Sequence, residues 1–167
     1  GEDASKNAEE SVTNVPATVT MRTDGDKKLM LLQGHQGEVF NCAWNPKQLQ
    51  LASGSADGVC RLWGLWDLTK TLPDASNTTI PFDQPSDDSV VRSAVLPHNV
   101  FVGERFKDVT SITWSPDGNL LATGCYDGIA RIWDDKGNVV KTLKEHTGPV
   151  FSLKWNQRGD LILSGSY

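Results

Sequence analysis

Gln33-Gly34-His35-Gln36-Gly37-Glu38-Val39-Phe40-Asn41-Cys42-Ala43-Trp44-Asn45-Pro46, continued by Leu51-Ala52-Ser53-Gly54-Ser55-Ala56-Asp57 and Arg61-Leu62-Trp63, decides the fold. From Glu38 to Trp44 the side chains alternate, with Phe40, Cys42 and Trp44 on one side and Asn41 and Ala43 on the other. A period of two predicts a strand, and Asn45-Pro46 breaks it. Leu49 to Ser55 predicts a second strand of small residues. Ala56-Asp57-Gly58 carries an Asp-Gly hairpin signal, and Val59 to Trp63 predicts a third strand.

The same unit returns further on. Val109–Trp114, Leu120–Cys125 and Ile129–Trp133 predict three strands, joined by Ser115-Pro116-Asp117-Gly118 and Tyr126-Asp127-Gly128. Val139–Leu143 predicts another. Val150–Trp155 and Leu161–Ser166 begin a third copy. Trp44 and Trp114 each lie 13 residues before an Asp, Asp57 and Asp127, and 19 before a Trp, Trp63 and Trp133. His35 and His146 each lie nine residues before a Trp, Trp44 and Trp155, and Trp114 is 41 residues from Trp155. Five of the six tryptophans thus fall in register. A period of 40–45 residues with a Gly-His signal and a Trp-Asp signal is that of a four-stranded propeller blade.

Outward from these copies the chain is less regular. Residues 1–14 hold four acids, one lysine and no aromatic. Too little apolar surface is present there to offset ordering entropy, so 1–27 is expected to be a mostly disordered polar leader, with weak strand alternation at Thr18–Arg22. Residues 64–107 contain four prolines and predict a long insertion with one strand near 90–96. The expected divisions are 28–63, 108–138 and a truncated 139–167 for the three copies. The first residue is Gly, so an N-terminal part is expected to be missing, and the piece is expected to be marginal or aggregation-prone alone.

The net charge of −5 and pI near 5.1 argue against a nucleic-acid footprint, which needs a basic face. No run is long enough for a membrane span. Cys42, Cys60 and Cys125 are widely spaced without a Cys-x-x-Cys, so neither a zinc site nor a disulfide framework is expected. Cys42 and Cys60 read as small core residues, and His98 as a solvated loop histidine. Asp87-Asp88 and Asp134-Asp135 lack metal-ligand spacing, and no phosphate-cradling loop is present. Asn77-Thr78-Thr79 reads as polar loop. No cofactor is implied.

Gly34-His35, Ser53-Gly54-Ser55-Ala56-Asp57, Arg61-Leu62-Trp63, Thr123-Gly124-Cys125-Tyr126-Asp127, Arg131-Ile132-Trp133-Asp134 and Glu145-His146 resemble WD40 repeats. The resemblance implies an all-β propeller fragment of about two and a half four-stranded blades, not closed. More narrowly, Glu38–Pro46, Asp108–Trp114, Leu120–Trp133 and Gly148–Asn156 resemble the first blades of transducin β-like 1 proteins, subunits of histone-deacetylase corepressor complexes. That implies a nuclear (alternatively cytoplasmic) non-catalytic module binding corepressor subunits or histone tails, with no direct nucleic acid, membrane or small-molecule substrate. A ubiquitin-ligase adaptor or signalling platform is the alternative.

His35, Ser55 and Asp57 also invite a hydrolase reading. A triad needs an exposed nucleophile, and Gly54-Ser55-Ala56-Asp57-Gly58 is not a nucleophile elbow. The WD40 resemblance implies instead a structural network: Asp57 to His35, His35 to Ser55, Ser55 to the Trp63 indole. Its remnants are expected at Asp127 and Trp133, with Arg105 at the histidine position and Cys125 at the serine position, and at His146 and Ser166. By the same pattern the partner-binding face is Glu38, Phe40, Ala56, Asp108, Thr110, Tyr126, Pro149, Phe151 and Tyr167. This acidic and aromatic set suits a basic peptide.

Overall fold

A computed structural model describes residues 17–25, 27–65, 79–81, 91–98 and 107–167. The described part is all β, with 13 strands. β3 (Val39–Trp44), β4 (Gln50–Ser55), β5 (Val59–Leu65) and β7 (Val91–Pro97) form one antiparallel four-stranded sheet in that order. β8 (Val109–Trp114), β9 (Leu120–Cys125), β10 (Ala130–Asp134) and β11 (Val139–Leu143) form a second. β12 (Val150–Trp155) pairs with β13 (Ile162–Ser166) as the start of a third. β1 (Thr18–Asp24) and β2 (Lys27–Gln33) make a hairpin, and the short β6 (Thr79–Pro81) pairs with the other edge of β1.

Two segmental expectations change. β1 falls inside the stretch read as a mostly disordered leader; residues 1–16 lie outside the described residues. The strand expected near 90–96 is β7, but it completes the first blade by pairing along the whole of β5, from Val59↔Pro97 to Leu65↔Val91. The long connection therefore lies within the first blade, between its third and fourth strands. The proline-rich connection masked this, because a long, irregular stretch separates β7 from β5 in sequence, and their pairing shows only once the strands are set side by side.

Period-two alternation then sorts side chains between neighbours. On one face of the first blade Trp63 and Leu65 pack with Ala17, Val19, Met30 and Leu32 of the N-terminal hairpin region. On the other, Ala52, Cys60, Leu62 and Leu96 meet Val109, Trp114, Leu121 and Trp133 of the second blade. Ala122, Ala130 and Ile132 of the second blade meet Val150 and Leu153 of the third. The core is thus a series of blade junctions. Cys60 is buried as expected, but Cys42 is exposed, because no described element covers that face of β3.

Each junction repeats the same fastening. Trp114 Nε1 donates to the Ala43 carbonyl (3.1 Å) and Trp155 Nε1 to the Thr113 carbonyl (3.2 Å), linking the first strand of one blade to the first strand of the next. Val109 packs over Gly54, and Val150 over Gly124, in spaces that a Cβ on either glycine would invade. Trp44 and Val39, at the equivalent positions of the first blade, are 58% and 52% exposed, so these residues owe their burial to a preceding blade.

Candidate functional site

The polar network begins at strand ends. In the first blade Trp63 Nε1, which can only donate, gives its proton to Ser53 Oγ at 2.8 Å. Asp57 Oδ2 can only accept, so His35 Nδ1 donates to it at 2.8 Å. His35 Nε2 is then the acceptor for the Ser53 hydroxyl proton at 2.7 Å. Burial alone pushes the Asp57 carboxyl up, but hydrogen bonds from His35, Gln36 N–H and Val59 N–H outweigh it and hold it below the usual carboxylate range. Gly58 (φ 83°) closes the turn in a left-handed conformation, donating to the Ser55 carbonyl.

The hydroxyl of the network is Ser53, not Ser55. Cross-strand register explains this: Trp63 lies opposite Leu51, so its ring reaches diagonally to Ser53 on the same face. Ser55 is fully buried and, among the described residues, its Oγ accepts the Asp57 N–H at 3.2 Å. A fully buried serine does not supply the exposed nucleophile a hydrolase needs.

The second and third blades shift in the same way. Thr123, not Cys125, accepts the Trp133 indole proton (2.7 Å), and its hydroxyl meets His98 Nε2 at 2.5 Å. His98 Nδ1 donates to the Leu96 carbonyl. The residue read as a solvated loop histidine is thus 3% exposed and takes the histidine role of its blade. Arg105, assigned that role by counting back from Trp114, lies outside the described residues. His98 was missed because it stands 16 residues before Trp114, where His35 stands nine before Trp44. Asp127 pairs with Arg131 at 3.3 Å and caps the turn through Ile129 N–H. In the third blade His146 Nε2 meets Ser164 Oγ at 2.8 Å, while Ser166 donates to the Gly148 carbonyl.

Burial, and secondarily the Arg131 charge, holds His98 down to about 3. Unfolded His98 takes up a proton as pH falls below about 6.5 while the folded residue does not, so this stability is present above pH 6.5 and lost as pH falls toward 3. The expected slope approaches about 1.4 kcal/mol per pH unit. Urea midpoints measured from pH 7 to 4.5 should fall more steeply for the wild-type chain than for His98→Gln; parallel curves would contradict the assignment.

The nine face residues gather around a shared irregularity. Register slips at Val39/Asn41, Val109/Ser111 and Val150/Ser152, leaving Phe40, Thr110 and Phe151 as the extra residue of a β-bulge in each blade. A bulge takes its residue out of the ladder and re-aims the side chain. This overturns the unbroken alternation of Phe40 with Cys42 and Trp44. Phe40 and Phe151 are 54% and 55% exposed. Tyr126 stands edge-to-face with Phe151 at 6.0 Å between ring centroids. The turns sit against the bulged strands: Ala56 N–H donates to the Glu38 carbonyl and Tyr126 N–H to the Asp108 carbonyl, each at 2.9 Å. Glu38 and Tyr167 are exposed, and Asp108, Ala56 and Pro149 half-buried.

Four-stranded antiparallel sheets repeated along the chain, packed face to face and fastened alike at each junction, define an array of β-propeller blades. The family model described as WD domain, G-beta repeat matches residues 26–64, 97–134 and 137–167, and the chain belongs to that family. It is 44% identical over 149 residues to F-box-like/WD repeat-containing protein TBL1X of Mus musculus, covering 86% of this chain and 26% of that protein. It is 38% identical over 122 residues to WD40 repeat-containing protein HOS15 of Arabidopsis thaliana, covering 73% of this chain and 18% of that protein. Among solved structures, the C-terminal WD40 domain of Sif2 matches with a TM-score of 0.58 at 27% identity, over 78% of this chain and 32% of that one. The chain spans about a quarter of the length of the TBL1X relative.

Proposed function

We propose that this chain is a non-catalytic interaction module that serves a nuclear histone-deacetylase corepressor complex by holding a basic protein segment, such as a histone tail. The complex is proposed from the likeness to transducin β-like 1 proteins. The observation carrying the mode of binding is the exposure of Phe40 and Phe151 at equivalent bulges, with Tyr126 beside Phe151. Large aromatic rings exposed to solvent offer contact area and cation–π attraction, and Glu38 and Asp108 offer opposite charge. Ala56, Pro149 and Tyr167 border the same ends of the strands.

Titration of the chain with a basic histone-tail peptide tests the reading. Tyr126→Ala and Glu38→Lys are each expected to weaken binding about tenfold, equivalent to roughly 1.4 kcal/mol. Unchanged affinity in both would remove this face from the function. The words F-box-like in the name of the TBL1X relative favour a second reading, a ubiquitin-ligase substrate adaptor. Co-purification of ligase subunits instead of deacetylase subunits would select it.

A further inference from the structure

We infer that Tyr126, Phe151 and Asp108 form a subsite for a single cationic side chain, and that Thr110 is the positioning residue that holds its two rings in place. The inference deepens the peptide-binding reading and rests on it for the identity of the natural ligand. Tyr126 and Phe151 come from different blades, one from the β9–β10 turn and one from the bulge of β12. Their planes are 86° apart, so they form a corner and not a stack. Phe151 is 55% and Tyr126 36% exposed, which leaves aromatic surface open to solvent. A ring face attracts a cation through its quadrupole. Asp108 is held beside the turn that carries Tyr126, since its carbonyl accepts the Tyr126 N–H, and brings a half-buried carboxylate to that strand end.

Thr110 sits at the bulge position that holds Phe in the flanking blades, and its hydroxyl has other work. It faces the Gly124 carbonyl at 3.1 Å and the Val150 carbonyl at 2.5 Å. Those carbonyls lie two residues before Tyr126 and one residue before Phe151. One hydroxyl, sharing its single proton between the two carbonyls, therefore lies between the two backbone segments that carry the rings. The first blade uses Asn41 for a comparable inter-blade tie, to the Val109 carbonyl, and keeps its bulge residue, Phe40, exposed.

The test uses n-butylguanidinium as the probe and n-butylurea as its uncharged isostere, with ring proton shifts of Tyr126 and Phe151 followed by NMR on the full chain. Saturable shifts are expected for the guanidinium, with binding at least tenfold weaker for the urea and for Phe151→Leu. Thr110→Val keeps the side-chain shape but removes the hydroxyl, and should weaken guanidinium binding several-fold, with Thr110→Ser restoring it. Equal binding of guanidinium and urea, or no effect of Phe151→Leu, would overturn the subsite. Wild-type affinity in Thr110→Val would overturn the positioning role. Should Thr110→Val fail to fold, retained binding in Thr110→Ser supports that role and lost binding overturns it. Peptide titration separates the two readings: guanidinium bound without peptide would sink the histone-tail proposal alone, and peptide bound without guanidinium would sink the subsite alone.

Discussion

Gly124→Val should destabilise the chain by about 3 kcal/mol or more and uncouple the third blade from the second. A Cβ on Gly124 would stand 2.8 Å from Val150 Cγ1 and 3.1 Å from both the Val150 Cβ and its carbonyl oxygen. Two of those contacts are to atoms that move only with the β12 backbone. Displacing β12 would pull Val150 and Leu153 from their packing against Ala122, Ala130 and Ile132. It would also lengthen the Trp155 indole bond to the Thr113 carbonyl. Urea unfolding reads the loss as a lower midpoint, and a broadened or two-step transition reads the uncoupling. The partner change Val150→Ala leaves a gap where two methyls were and costs about 1–3 kcal/mol by itself. Placed in the Gly124→Val background it should return part of the loss, because it removes the obstructing Cγ1. Additive losses in the double variant would show that the glycine is not holding space for that valine.

The second large effect separates two serines that lie two residues apart. Ser53→Ala should cost about 2–5 kcal/mol, since it leaves the Trp63 indole N–H and the His35 ring nitrogen unpaired in buried surroundings at roughly 1–3 kcal/mol each. Thr123→Val, which keeps the shape of the side chain, should cost about as much by orphaning Trp133 and His98. Ser55→Ala removes the 3.2 Å acceptor of the Asp57 N–H and should cost about 0.5–1.5 kcal/mol. Denaturant midpoints of the three variants rank them directly. Equal losses at Ser53 and Ser55 would contradict the network described above.

Most of the strand pattern could be read from residues. Alternation and the Asp-Gly turns placed β3 to β5 and β8 to β10 within a residue or two, because these features are local. The hydroxyl of the network was misplaced because Ser53 and Ser55 share a strand face, and periodicity alone cannot choose between them. Comparison of the copies held the answer: position 53 recurs as Thr123 and Ser164, a hydroxyl each time, while position 55 recurs as Cys125 and Ser166. His98 escaped because chain length between it and β8 differs from the first copy, so a count from the tryptophan lands elsewhere. Cys42 was assigned to a core by its alternation, yet burial depends on what lies across the sheet, and that is not encoded in β3. The bulges left no local mark at all: one extra residue in a strand looks like a longer strand until its partner is paired with it.

Those bulges bear on how such a surface can change. A residue whose side chain stands outside the ladder and about half in solvent, as Phe40 and Phe151 do, is less tied to the fold than a junction residue, so its replacement has smaller consequences for folding. Phe40 and Phe151 occupy this position in two blades while Thr110 is drawn into a tie between carbonyls in a third. The scaffold thus holds one slot per blade outside the ladder, and the slots of the second and third blades are coupled, because Thr110 reaches the Val150 carbonyl next to Phe151. Recognition can be rewritten at these slots while the residues that fasten the blades, Val109 with Gly54 and Val150 with Gly124, stay fixed.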